Sequence, residues 1–147
     1  MPDTSVRAPL EVANRLRPVL LQLVRELRRE VHPLGVTGGQ VSLLVQIKRH
    51  SGIGVRELAA RERVSPAAIS AAVDRLERAE LVRREADLVD RRRQGLLVSP
   101  AGERVLRAVK RRRTAWLATR LERLPAEDLE AIDVAIEPLL FLLEAVE

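Results

Sequence analysis

The feature that most constrains this fold is a capped amphipathic segment that begins at Ser65 and Pro66. Serine is a preferred helix N-cap, and proline suits the first helical position because its missing N–H has no intrahelical partner to lose. The segment runs to about residue 79, and its apolar stripe has the spacing of one buried helix face: Ile69, Ala72, Val73 and Leu76. A shorter helix is predicted just before it, over about Val55 to Glu62. Two such helices, separated by a few residues, predict a helix-turn-helix.

The residues before this pair predict a short tail and two more helices. We expect residues 1–8 to be a flexible tail and residues 9–30 to form a helix. Pro18 either kinks that helix or lies in the first turn of a shorter one, and both alternatives remain open. Thr37 followed by Gln40 is a capping box, so another helix begins there and runs to about residue 50.

The residues after the pair predict a hairpin and two further helices. Residues 81–85 and 94–98 are two short strand-like segments that flank a charged tip, which is typical of a β-hairpin. Ser99 and Pro100 repeat the cap signal ahead of a long helix to about residue 123. A last apolar helix is predicted from Pro125 to about residue 146. The fold class is therefore mainly α with a small β-hairpin.

Composition permits a nucleic-acid partner but does not require one. The chain carries 26 Lys and Arg against 21 Asp and Glu, a net charge of +5, and nearly all of the cations are arginine. Arginine suits phosphate groups and guanine edges, although a GC-rich genome would raise the arginine content equally well. The basic run Lys110 to Arg113 points all round a helix, so we interpret it as a solvated segment.

Several classes of protein are excluded or disfavoured. The chain has no cysteine, which excludes disulfides, thiolate metal sites and cysteine redox sensing. His32 and His50 are isolated, and no set of catalytic groups or phosphate-binding loop stands out, so we expect no enzyme, no metal and no cofactor. No apolar run approaches the roughly 20 residues of a membrane span, so we expect a soluble, cytoplasmic protein without a membrane partner.

The order and spacing of short motifs resemble the MarR family of bacterial winged helix-turn-helix transcriptional regulators. Each fragment alone is weak, but together they span the chain from about residue 9 to its end. The matching fragments are Glu57-Leu58-Ala59, Val64-Ser65, Val73-Asp74-Arg75-Leu76-Glu77, Leu81-Val82-Arg83, Asp90-Arg91-Arg92, Leu97-Val98-Ser99 and Gly102, with Leu34 to Leu44 upstream. Two positions depart from the family's pattern. Glu80 stands where glycine is common, so the preceding helix is expected to end differently, and Gly95 replaces a larger strand residue, which is expected to loosen the hairpin.

The resemblance implies that the helix at about 65–79 is the recognition helix and that 81–99 is the wing. With the apolar stripe buried, the opposite helix face would meet the major groove, unless it is an ordinary solvated surface. We interpret Asp74 as orienting a neighbouring arginine, because a carboxylate beside phosphate is repelled. In the family's pattern Asp90 braces the wing and an arginine at its tip enters the minor groove. The candidate DNA-binding residues are Ser65, Pro66, Ala67, Ser70, Ala71, Asp74, Arg75, Asp90, Arg91, Arg92 and Arg93.

Excess apolar surface on the last helix, the first helix and the end of the fifth helix predicts a homodimer. The resemblance places the family's dimer contacts on the first and last helices. We therefore divide the chain into a dimerisation helix at 9–33, a DNA-binding domain at 34–99 and dimerisation helices at 100–147. The predicted function is a sequence-specific transcriptional regulator that binds a pseudo-palindromic DNA operator. By resemblance it is a repressor released by a small lipophilic or aromatic acid. The alternative is a protein-interaction module that keeps the fold and binds DNA without sequence preference.

Overall fold

The computed structural model describes residues 7–86, 89–90 and 94–144. It confirms a mainly helical fold with one two-stranded antiparallel hairpin. The chain forms two compact units, Met1–Arg113 and Thr114–Glu147, and one helix runs through the boundary between them. The elements in order are α1 (Pro9–Arg29), a 3-10 turn (His32–Leu34), α2 (Gly38–Arg49), α3 (Val55–Glu62), α4 (Pro66–Arg78), β1 (Val82–Ala86), β2 (Gln94–Val98), α5 (Pro100–Leu121) and α6 (Ala126–Phe141).

Helix α1 is continuous across the proline that left its start uncertain. Pro9 occupies the first turn, and Pro18 lies inside the helix. Of the two alternatives, the long helix is therefore the one observed. No residue of Pro9–Arg29 is buried, so the apolar side chains of α1 remain in contact with solvent.

The core of the first unit lies where α2, α3, α4 and the hairpin meet. Helix α2 begins at the predicted capping box: the Gln40 N–H donates to Thr37 Oγ1 at 3.1 Å, and the Thr37 N–H donates to Gln40 Oε1 at 2.9 Å. Helix α3 has the predicted bounds, and the α4 stripe is buried except for Ala72, which is half-buried against the core. The largest fully buried side chains are Val31, Val41, Leu44, Ile47, Leu58, Val73, Leu76 and Leu96.

Helix α4 ends in a Schellman motif that carries glutamate where glycine is usual. The Leu81 N–H donates to the Leu76 carbonyl at 2.9 Å, and the Glu80 N–H donates to the Glu77 carbonyl at 2.9 Å. Glu80 adopts the left-handed conformation that this motif requires, with a φ of 61°. The expectation that α4 would end differently is therefore wrong, because local hydrogen bonds and the burial of Leu76 and Leu81 hold Glu80 in the strained conformation.

Gly95 allows a third segment to join the hairpin. β1 and β2 pair from Val82 with Val98 to Ala86 with Gln94, and Ile53 forms an isolated bridge with Leu96. A Cβ at Gly95 would lie 2.6 Å from the Gly52 carbonyl oxygen, closer than real side chains approach. Contrary to the expected loosening of the hairpin, the missing side chain permits this close backbone pairing.

Ser99 joins the end of α4, the hairpin and the start of α5. Its hydroxyl donates to the Glu80 carbonyl at 2.6 Å and accepts from the Gly102 N–H at 3.0 Å, while its own N–H donates to the Leu81 carbonyl at 3.0 Å. A Cβ at Gly102 would collide with the Leu81 carbonyl, so α5 approaches the strand closely only because this residue is glycine. Ser99 therefore acts as the predicted cap and also as a tertiary link.

Two arginines of the basic run on α5 cap the C-terminal end of α1. Arg112 Nε donates to the Glu30 carbonyl at 2.6 Å, and Arg113 Nε donates to the Leu27 carbonyl at 3.0 Å. The interpretation of this run as a solvated segment is therefore wrong for these two residues, since unpaired helix carbonyls attract cations. Burial, and then the positive charge of Arg28, lower the pKa of the Arg113 guanidinium from its ordinary value.

The second unit contains the end of α5 and all of α6. Arg120 stacks over the ring of Trp116, with its guanidinium carbon 3.6 Å from the ring centroid. Helix α6 ends at Phe141, earlier than the predicted residue 146, and the next three residues donate i→i+3 hydrogen bonds back to its last turn. Pro138 inside α6 supplies no N–H to the preceding turn, which weakens the helix close to its end. No residue of Ala126–Phe141 is buried.

Candidate nucleic-acid interface

The start of α4 is fixed by its own sequence. Ser65 has extended backbone angles, and its hydroxyl accepts a hydrogen bond from the Ala68 N–H at 3.2 Å. Pro66 follows in the first turn. Both residues are exposed, so the positive end of the helix dipole, with its remaining free N–H groups, faces solvent. Such an end is suited to contact a phosphate group.

The outer face of α4 presents small side chains and one arginine. Ala67 and Ala71 are exposed, and Ser70, which lies between them, is half-buried. Arg75 is exposed one turn further along. Small residues allow a helix backbone to approach the floor of the major groove, where a hydroxyl can reach base edges and an arginine can pair with guanine.

Asp74 forms an ion pair with an arginine of the wing. Its partner is Arg84 of β1, whose Nη2 donates to Asp74 Oδ1 at 2.8 Å. The same guanidinium donates through Nε to Glu77 Oε2 at 2.9 Å. Asp74 therefore contributes its charge to an ion-pair network between α4 and β1.

Sequence reasoning did not single out Arg84. The available signal was its strand position, two residues after the buried Val82, which turns its side chain towards the same face. An arginine on the inner face of a short strand needs a partner, because a partly buried charge is costly when it is unpaired. An ion pair between Arg84 of the wing and an acidic residue of α4 could have been predicted on that ground.

The tip of the wing is only partly described. Asp90 lies on an exposed stretch beyond β1. The candidates Arg91, Arg92 and Arg93 lie outside the described residues, so their predicted entry into the minor groove stays a prediction. The structure thus brings together the α4 candidates with the base of the wing.

These elements define a class of protein. A capped second helix with an exposed outer face, followed by a hairpin, is the winged helix-turn-helix of DNA-binding transcriptional regulators. Within the part of the chain that the structure describes, no group of His, Asp and Glu could hold a metal ion, and no helix is long and apolar enough to cross a membrane.

Comparison with known proteins identifies the family. A sequence model described as the MarR family matches residues 36–93. The HTH-type transcriptional repressor MdtR of Bacillus subtilis is 30% identical over 119 residues, which cover 81% of this chain and 77% of that protein. A structure assigned as a transcriptional regulator of Pseudomonas aeruginosa is 33% identical with a TM-score of 0.78, covering 94% of this chain and 96% of the other. The chain belongs to the MarR family.

A more distant structure is similar in fold. A mutant of Staphylococcus aureus MepR bound to an oligodeoxyribonucleotide has a TM-score of 0.69 at 19% identity, over 90% of this chain and 98% of that chain. The family and the fold are those of DNA-binding transcription regulators and not of enzymes, in agreement with the sequence analysis.

Proposed function

We propose that this protein is a homodimeric, sequence-specific transcriptional repressor that is released from its operator by a small acidic ligand. The observation that carries the proposal is the exposed outer face of α4, which is capped by Ser65 while the opposite face is buried in the core. A rigid helix of this kind, beside a wing, fits the major groove while the wing reaches the adjacent minor groove. The residues proposed to contact DNA on α4 are Ser65, Pro66, Ala67, Ser70, Ala71 and Arg75.

The wing is proposed to supply the second contact. Asp90 would brace the tip, and one of the arginines at 91–93 would enter the minor groove, where a narrow groove strengthens the negative potential. Asp74 is proposed to act through Arg84, since a carboxylate facing phosphates directly would be repelled.

Dimerisation is proposed to use helices α1 and α6. These helices belong to the proposed dimerisation regions at 9–33 and 100–147, which flank the proposed DNA-binding domain at 34–99. Neither helix has a buried residue, and each exposes large apolar side chains at helical spacing. A second copy of the chain would remove these surfaces from water, and twofold symmetry would place two α4 helices about 34–36 Å apart on a pseudo-palindrome. The exposed large apolar side chains are Leu10, Val12, Val19, Leu20, Leu21, Leu23 and Val24 on α1, and Leu129, Ile132, Val134, Ile136, Leu140 and Phe141 on α6.

A groove between α1 and the start of α2 supports the ligand proposal. The groove has a volume of about 470 Å³. Leu21 and Val24 form an apolar wall, and the basic side chains beside it are Arg25, Arg28, Arg29 and His32. Arg28 Nε lies 2.7 Å from the position that a Cβ on Gly38 would occupy, so a cation is packed against the N-terminal end of a helix. That arrangement is unfavourable for the helix dipole, and an anion would relieve it.

The ligand proposal has a direct probe. Titration with benzoate should release operator DNA from the unaltered protein, and the Arg28→Gln variant should need more benzoate for the same release. The repressor assignment is consistent with the similarity to MdtR, a transcriptional repressor. Release at equal concentrations from both proteins would argue against this groove.

The function is tested by selection of bound sequences from a random duplex pool at near-physiological salt. The expected result is a pseudo-palindrome with half-sites about one helical turn apart, bound at least ~10³-fold more tightly than scrambled DNA. Salt-sensitive binding to every sequence without an enriched motif would instead support the interaction-module alternative.

A further inference from the structure

One guanidinium joins the base of the wing to the recognition helix. Arg84 Nε lies 2.9 Å from Glu77 Oε2, and Arg84 Nη2 lies 2.8 Å from Asp74 Oδ1. Asp74 and Glu77 are three residues apart on α4 and therefore share one helix face. We refer to these three residues as the Arg84 bridge.

The register of the hairpin explains why Arg84, and not its neighbour, makes this contact. Arg84 is paired with Leu96, which is fully buried, and cross-strand partners point to the same face of a sheet. Its side chain is 26% exposed, whereas that of Arg83 is 60% exposed and lies 3.6 Å from Glu85 of the same strand. Arg83 and Arg84 are therefore arginines of the same strand that differ in their ion-pair partners and in their burial.

The chemistry of the bridge suits arginine specifically. Two adjacent donors of one planar guanidinium reach two separate carboxylates, which fixes the direction of the side chain. A lysine ammonium is a point charge on a flexible stem and lacks this fork. With Arg84 removed, two carboxylates on the outer part of α4 would lose their counter-charge on the surface proposed to approach phosphates.

We propose that Arg84 is a positioning residue for DNA recognition, which orients the wing relative to α4 and neutralises Asp74 and Glu77 so that phosphates are not repelled. The proposal rests on the proposed DNA-binding function and adds to it a residue that acts without touching a base. It predicts that the effect of losing Arg84 depends on the presence of the two carboxylates.

The experiment measures operator affinity in two backgrounds, the unaltered chain and the Asp74→Asn/Glu77→Gln double variant. In the unaltered background Arg84→Gln should weaken binding about tenfold or more, whereas the control Arg83→Gln should weaken it by about threefold at most. In the carboxylate-free background Arg84→Gln should have less than about a threefold effect. This rescue distinguishes neutralisation from a direct phosphate contact.

A footprint tests the orientation of the wing separately. With Arg84→Gln and with Arg84→Lys, bound at saturating concentration, hydroxyl-radical protection of the minor groove should decrease. Protection of major-groove guanines from methylation should remain, because α4 is still held by the core. Arg84→Lys keeps the charge and the aliphatic stem, so it provides the readout if Arg84→Gln fails to fold by circular dichroism.

Four outcomes would overturn the inference. Equal losses for Arg84→Gln in both backgrounds would make Arg84 a direct DNA contact. Equal losses for Arg83→Gln and Arg84→Gln, or an unchanged wing footprint in Arg84→Lys, would remove its positioning role. Failure of the unaltered protein to bind any operator specifically would instead overturn the proposed function, and the inference with it.

Discussion

At the residue scale, Glu80 completes the Schellman motif at the end of α4 in a conformation that is unfavourable for a residue with a side chain. Its φ of 61° lies in the left-handed region, which costs an L-residue with a side chain roughly 1–2 kcal/mol relative to the right-handed region. Its hydrogen bonds are made by the backbone and would be kept by any non-proline residue: the N–H donates to the Glu77 carbonyl, and the carbonyl accepts from the Ser99 hydroxyl. The side chain is exposed and is therefore free to be replaced.

We predict that Glu80→Gly stabilises the protein by about 0.5–1 kcal/mol, because glycine adopts this φ without strain. The larger backbone entropy that glycine loses on folding offsets only part of this gain. The free energy of unfolding from urea titration measures the effect. Glu80→Ala is the control, since it removes the charge and keeps the Cβ. An equal gain from alanine would assign the effect to charge and contradict the conformational explanation.

Gly95 lies where a side chain would prevent the close approach of the Gly52 backbone. We predict that Gly95→Ser costs about 1–3 kcal/mol, because the new Cβ meets the Gly52 backbone and must push the Ile53–Leu96 bridge apart. Gly54→Ser is the matched control, because a Cβ at Gly54 meets nothing within 4 Å and serine is a good N-cap for α3. Similar unfolding free energies for the two variants would contradict the close approach.

At the scale of the elements, α1 is attached to the first unit by polar contacts at its C-terminal end. Arg112 of α5 donates to the Glu30 carbonyl, just after α1, and Arg113 donates to the Leu27 carbonyl in its last turn. Arg112 Nε also lies 3.4 Å from Glu30 Oε1. The lowered pKa of Arg113 reflects burial and the nearby Arg28, and its guanidinium still carries its charge at neutral pH, so the cation–carbonyl contact is retained.

We predict that Arg113→Gln destabilises the protein by about 1–2 kcal/mol, since a half-buried charged donor to a helix end is lost. Arg111→Gln is the control, because Arg111 is an exposed arginine two residues earlier on the same helix. Hydrogen exchange of the α1 amides should accelerate near Leu27 in the Arg113 variant alone. Equal behaviour of the two variants would show that the cap contributes nothing.

Helix α4 carries the prediction on specificity. If Arg75 pairs with a guanine, Arg75→Ala should cost on the order of 1–3 kcal/mol in operator binding and relax the preference at one base pair of each half-site. Arg78→Ala, one turn later on α4, is the comparison variant. A loss for Arg75→Ala that is uniform across all sequences would make Arg75 a phosphate contact.

At the scale of the whole molecule, two helices expose more apolar surface than a folded monomer usually leaves in water. On α6 the exposed residues Leu129, Ile132, Ile136 and Leu140 follow helical spacing, so they form one stripe. Phe141, at the end of the same helix, is 71% exposed. Such stripes are typical of helices that are covered by a partner.

We predict that Ile132→Glu weakens the dimer at least about tenfold, because a charge would have to be buried in an apolar contact. Sedimentation equilibrium measures the dissociation constant. Val64→Glu is the control, since Val64 is as exposed as Ile132, at 46%, and lies outside α1 and α6. A monomeric unaltered protein, or equal weakening by both variants, would contradict the proposed interface.

The sequence by itself determined the elements whose signals are local. Ser65, Pro66 and the capping box of Thr37 set helix starts through contacts within a few residues, and the period of the apolar residues placed the core face of α4. The MarR-like order of fragments then identified the family, which the comparisons confirm. These features depend on neighbours along the chain, so they could be predicted without knowing which segments meet.

Only the tertiary structure decided the contacts that join distant segments. The Arg84 bridge, the approach of Gly52 to Gly95 and the capping of α1 by Arg113 link residues that no local pattern relates. Pro18 belongs to the same group, because local sterics allow both a continuous helix and a later start. In each case the outcome depends on which surfaces pack together. Tertiary packing determines which partner a charged side chain meets and where the absence of a side chain allows two backbone segments to approach.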